Sequence, residues 1–133
     1  MAERRRVMRG RGIRAFTLIE LLVVMAIIAM LLAVAAPRYF HSVQRSKETV
    51  LRHDLSAMRD AIDKYFSDTG VYPGGLEDLV QKRYLRKLPP DPVTESSTTW
   101  VAVPPPEGGK GGVYDVRSGA RGTALDGTAY SDW

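Results

Sequence analysis

The stretch FTLIELLVVMAIIAMLLAVAA, residues 16–36, decides the reading: it holds 21 residues and a single charged side chain, Glu20. Wound as a helix at about 1.5 Å per residue it reaches roughly 30 Å, the thickness of a bilayer's hydrocarbon core. Immediately before it stand Arg4, Arg5, Arg6, Arg9, Arg11 and Arg14 against one acid, Glu3. Cationic flanks stay on the cytoplasmic side, so residues 1–15 are expected inside and everything after Pro37 outside. A secretory signal peptide shares a basic start, and Ala33, Ala35 and Ala36 resemble its cleavage site. Glu20 argues against that alternative, because a carboxylate in a membrane segment costs a few kcal/mol unless it is paired or neutralised, which marks it as functional.

The charge balance of the remainder restricts what the chain can bind. The whole chain carries +4. With the six leader arginines and Glu3 set apart, thirteen basic and fourteen acidic side chains remain after Ala15. No basic stripe is left on the body for phosphates to meet, so a nucleic-acid partner is excluded. With no cysteine, the outer part has neither disulfides nor thiolate metal sites. A small domain of that kind needs another staple, such as oligomerisation or a hard cation held by oxygens.

Phe16, Thr17, Leu18, Ile19, Glu20, Leu21 and Leu22, lying after a short basic leader and before an unbroken apolar run, resemble the processing motif of type IV prepilins and type II secretion pseudopilins. The resemblance implies that a prepilin peptidase cuts between Ala15 and Phe16 and methylates the new amine of Phe16. It further implies a homo-oligomeric helical filament served by an inner-membrane assembly platform, a secretion ATPase and minor pseudopilins. The family usually has Gly before the cut, whereas Ala15 stands there in this chain. Independently of the family, a cut there creates a cationic amine four residues from Glu20. Staggered parallel helices could pair that amine with the Glu20 of a neighbour, joining two charges that are costly alone and fixing one axial register among many.

Pro37 interrupts the helical pattern and is expected to kink or loosen it, with a role in assembly beside Glu20. The pattern resumes with Phe40, Val43, Val50, Leu51, Leu55, Met58, Ile62, Tyr65 and Phe66, which predicts one helix to about Thr69, stopped by Gly70. Glu48 with Arg52 and Asp60 with Lys64 have the four-residue spacing of helix-surface pairs. After Tyr72 and Pro73, the residues Leu76, Leu79, Val80, Tyr84 and Leu85 predict a short second helix, followed by Pro89, Pro90, Asp91 and Pro92. Residues 98–103 and 112–116 predict a hairpin with residues 104–111 as its loop. The fold class is α+β: a long N-terminal α-helix, membrane-spanning in its first half and amphipathic in its second, packed on a small head with a short helix and an antiparallel sheet. Its organisation is a cleaved basic leader (1–15), a transmembrane or filament-core helix (16–36), an amphipathic spine helix (37–69) and a periplasmic head (70–133). This order resembles the major pseudopilin of type II secretion, the G-type family, through its Tyr-Pro turn and its Leu88 to Pro92 loop.

Little in the chain suggests catalysis. His41 and His53, the two histidines, stand twelve residues apart, about 120° in direction on one helix, and cannot share a ligand. The serines have no histidine and acid partners, and Gly108 to Gly112 read as hairpin loop rather than a phosphate cradle. The chain is therefore read as non-enzymatic. Asp115, Ser118, Asp126, Thr128, Ser131 and Asp132 form an oxygen-rich, glycine-punctuated end that suits calcium, and the family resemblance implies calcium in that loop too; if calcium binds, Asp126 and Asp132 are the expected ligands. The plain alternative is a loop closed by its own hydrogen bonds. Lys82, Arg83, Arg86 and Lys87 form a basic cluster that could meet Asp60 or Asp63 of another subunit. The expected function is a filament subunit of a secretion pseudopilus, located in the inner membrane and then the periplasm in contact with lipid. The alternatives are a type IV pilus pilin and a single-pass membrane protein with a periplasmic binding head that never polymerises.

Overall fold

In a computed structural model that describes residues 15–106 and 112–133, one long helix, α1 (Leu18–Thr69), carries both kinds of sequence pattern. The chain divides into two compact units at Arg38 and Tyr39. In the first, the aliphatic run from Leu18 to Val34 is exposed, and none of its most apolar window is buried within the chain. A helix apolar all round and uncovered by its own chain is the arrangement lipid or other helices require. Residues 1–14, nearly the whole leader, lie outside the described residues. Pro37 sits inside α1, and helical residues continue past it.

In the second unit the three- and four-residue spacing does its ordinary work. Leu51, Leu55, Met58, Ala61 and Ile62 face one way and are buried with Leu76, Leu79, Trp100, Val113, Val116, Ala120, Ala124 and Tyr130. Each fully buried large aliphatic side chain stabilises by about 1.5–3 kcal/mol relative to exposure. Phe40, Val50 and Phe66, predicted for the same face, are instead exposed. Gly70 ends α1 in the left-handed region, φ 74°, with its amide donating to the Phe66 carbonyl at 2.8 Å, the glycine stop that the sequence suggested.

The short helix α2 covers Leu76–Gln81 and ends before Tyr84 and Leu85. Tyr84 and Leu85 then donate their amides back to the Leu79 carbonyl. The hairpin is shorter and shifted: β1 (Val101–Val103) pairs antiparallel with β2 (Asp115–Arg117), Ala102 opposite Val116. Residues 98–100 are not strand because their polar groups serve a local turn, with Ser96 and Thr98 hydroxyls 2.8 Å apart and Thr94 bonded to Thr99. Part of the predicted loop, residues 107–111, lies outside the described residues.

Candidate functional site

The N-terminal site begins at the first turn of α1. Thr17 accepts the Glu20 amide on its hydroxyl at 3.2 Å, and the Glu20 carboxylate accepts the Thr17 amide at 3.4 Å. This reciprocal pair is a capping box, which satisfies two of the amides a helix start leaves without partners. The Thr-x-x-Glu spacing of Thr17 and Glu20 is a local sequence signal of such a helix start. Phe16, 87 % exposed, lines with Ile19, Val23 and Val24 a shallow groove in which Glu20 stands. The described residues thus give Glu20 a hydrogen bond from its own helix and no cation.

A second constellation ties the C-terminal loop to α1. Glu48, only 9 % exposed, accepts the Leu125 amide at 2.8 Å, the Tyr130 hydroxyl at 2.9 Å and the Gln44 side chain at 3.5 Å. One turn on, Arg52 reaches Asp126 at 3.3 Å and lies over the Trp133 ring, 4.0 Å from its centre. The predicted Glu48–Arg52 pair therefore does not form; each side chain turns to the loop, since a hydrogen-bonded buried carboxylate gains more there than an exposed helix pair would give. Nor is an Asp60–Lys64 ion pair present among the described residues. Burial pushes the Tyr130 hydroxyl's pKa up; Gln44 opposes the rise, and the Glu48 carboxylate beside it adds to it.

A second buried carboxylate organises the proline-rich turn. Asp91, fully buried, accepts the amides of Val93 and Thr94 and the hydroxyl of Ser118. Nearby, Arg59 holds Asp115 at 2.8 Å and the Val116 carbonyl at 3.0 Å, which fastens β2 to α1. The roles of Asp91 and Arg59 are not legible in sequence, because only tertiary structure brings Ser118 to the one and Asp115 to the other.

These bonds bear on the oxygens proposed for calcium. Asp115 is taken by Arg59 and Ser118 by Asp91. Asp126 accepts the amide and hydroxyl of Thr128 at 3.0 and 2.6 Å on one oxygen and faces Arg52 with the other. Hydrogen bonds from Thr128, and then the Arg52 charge, hold the Asp126 carboxyl below its usual pKa. Asp132 lies in the closing turn Tyr130–Asp132. Among the described residues no group of three or more metal-binding side chains gathers. A hard divalent ion needs six to eight free oxygens, and this donor set does not fit one.

Comparison with known proteins bears on the N-terminal site first. Residues 10–36 match the model of the prokaryotic N-terminal methylation motif, a span that contains Ala15, Phe16 and Glu20. The chain is 37 % identical over 101 residues to type II secretion system core protein G of Pseudomonas aeruginosa, covering 64 % of this chain and 71 % of that one. It is 31 % identical over 121 residues to the Escherichia coli protein of the same name, covering 79 % of each. It is also 33 % identical over 122 residues to fimbrial protein EcpC of Eikenella corrodens, with 86 % of this chain and 78 % of that one covered. No solved structure matches this chain significantly. A methylation motif on an exposed apolar helix, an α+β head and these similarities lead to one conclusion: the chain belongs to the pilin-like family that includes type II secretion system core protein G, the major pseudopilin.

Proposed function

We propose that the chain is a filament subunit of a type II secretion pseudopilus, anchored in the inner membrane by residues 16–36 until it is assembled. The peptidase cut falls between Ala15 and Phe16, and the new amine is methylated. A methylated amine keeps its charge, and it stands four residues from Glu20. In a staggered stack of subunits the amine of one helix meets the Glu20 of its neighbour, and Pro37 gives the helix local freedom to pack. The exposed aliphatic surface of α1 from Leu18 to Val34, with its one carboxylate, carries this reading. Uncovered apolar area of that extent marks an interaction surface, and a carboxylate within it requires a partner of opposite sign.

Mass spectrometry of the mature N-terminus tests the processing step. Methylated Phe16 is the expected result; an intact Met1, or a cut after Ala36, overturns it in favour of a non-polymerising membrane protein. The similarity to fimbrial protein EcpC, which extends over more of this chain than the similarity to the Pseudomonas protein, favours a second reading as a type IV pilus pilin. Deletion of the gene separates the two. Loss of protein export with intact surface fibres supports the pseudopilus, and loss of surface fibres with intact export supports the pilus.

A further inference from the structure

We infer that the C-terminal loop of this chain is locked by an internal cation, the Arg52 guanidinium, and that its head reaches its folded state without a divalent metal. The observations lie on both sides of the loop. From within, residues 123–129 close on themselves: Thr123 and Ala129 pair as a bridge, the Ala124 amide donates to Thr128, and the Gly127 amide donates to Ala124. Gly127 takes φ 87°, a conformation that lets the turn tighten without a metal to hold it. From outside, α1 supplies one group of each sign. Glu48 takes the Leu125 amide, and Arg52 takes the Asp126 carboxylate and stacks on Trp133, whose indole N–H donates to Thr128 at 2.7 Å.

A calcium ion does three things for a loop: it neutralises carboxylates, gathers carbonyl oxygens and ties distant segments together. Here Arg52 neutralises the carboxylate, the bridge and turn satisfy the backbone, and Glu48 with Arg52 ties the loop to the helix. A planar guanidinium suits this position because it bonds a carboxylate through its edge and stacks on an aromatic ring through its face. A metal arriving at Asp126 would have to displace Arg52 and leave that cation beside a divalent charge.

The test uses the full mature chain in detergent micelles. Melting temperatures in millimolar calcium chloride and in excess chelator are expected to coincide, and terbium added as a calcium probe is expected to show no saturable emission sensitised by Trp133. An ion bound at about one hundred times its Kd would raise the melting temperature by roughly 10 °C. A rise of that size, or terbium emission competed by calcium, overturns the inference. Arg52→Gln is expected to raise amide exchange at Thr128 and Tyr130 roughly three- to tenfold, equally with and without calcium. Arg52→Lys, which keeps the charge and loses the stacked plane, is expected to restore part of the protection. Unchanged exchange in Arg52→Gln also overturns the proposal. Should that variant be too unstable to purify, wild-type exchange in about 1 M salt replaces it. Faster loop exchange there supports an ion-pair lock, and no change counts against it.

Discussion

Glu20 and Glu48 are the same side chain on the same helix, and they have opposite fates. Glu48 is buried and receives a backbone amide, a tyrosine hydroxyl and a glutamine amide, all from its own chain. Glu20 stands among exposed aliphatic side chains and, among the described residues, receives one long hydrogen bond, from Thr17. A carboxylate completed internally lets its segment fold alone, whereas one left with spare capacity in an apolar setting calls for a second molecule. On the proposed reading the first unit serves neighbouring subunits, whereas the second completes its buried carboxylates from within.

The largest expected effect follows from breaking this contrast at the membrane end. Glu20→Gln is expected to lower filament yield at least about tenfold, the consequence of losing 1.4 kcal/mol or more per contact, while the melting temperature of the head stays unchanged. Electron-microscopic counts of filaments, set beside a melting curve, measure both. Ordinary yield and spacing in that variant would refute the pairing account. The converse substitution, Glu48→Ala, leaves the Leu125 amide and Tyr130 hydroxyl without their shared acceptor. It is expected to destabilise the head by about 2–4 kcal/mol, which thermal melting reads as a fall of roughly 10 °C or more.

Next in size is a backbone contact. A Cβ on Gly119 would collide with the Thr99 carbonyl. Gly119→Ala is therefore expected to cost about 1–3 kcal/mol, the range of overpacking in a close-fitted interior, as read by chemical denaturation. Gly122→Ala offers a contrast, since open space surrounds its Cβ position and only its φ of 108° opposes the change.

How much of this was legible depended on the range of the interaction involved. The anchor, the extent of α1, the Gly70 stop and the core positions Leu51, Leu55, Met58 and Ile62 follow from local pattern, and the sequence shows them within a turn or two. The roles of Glu48, Arg52, Asp91 and Arg59 do not. Spacing along a helix suggested that Glu48 and Arg52 serve each other, but their partners lie more than seventy residues away. A polar residue on a helix looks the same in sequence whether it meets water or a returning loop. Strand boundaries failed for a related reason: the hydroxyls of Ser96, Thr98 and Thr99 prefer a local hydrogen-bonded turn to a ladder. Glu20 was conspicuous because a lone charge in an apolar run needs no tertiary information to be noticed.

A smaller effect tests the loop lock through acid. The folded-state pKa of Asp126 is depressed, chiefly by Thr128 and then by Arg52, below the ordinary 3.8 of an aspartate. The stability it contributes is therefore present above 3.8 and is lost as pH falls through the lower folded value. Trp133 shares Thr128 as a partner, so its fluorescence is expected to change as pH falls below 3.8. Asp126→Asn should flatten that change, and an identical titration in the variant would show that the loop does not depend on this charge.

The smallest expected effect has the opposite sign. Asp54 sits on α1 in the second unit with a side chain only 16 % exposed, and its pKa is raised first by burial; His53 opposes the rise, and the charge on Asp91 adds to it. A raised folded-state pKa means that the folded protein holds its proton more tightly than the unfolded chain. Stability therefore falls as pH rises from the unfolded value toward the folded one, and the deficit persists above it. Asp54→Asn removes the charge and with it the deficit. The contact with His53 at 3.7 Å is an ion pair only while the imidazole is protonated. The variant is expected to melt roughly 2 °C higher than wild type near pH 7 and level with it near pH 3. A lower melting temperature near pH 7 would mean that His53 and Asp54 form a stabilising pair. The second unit would then owe part of its stability to this half-exposed contact as well as to its buried carboxylates.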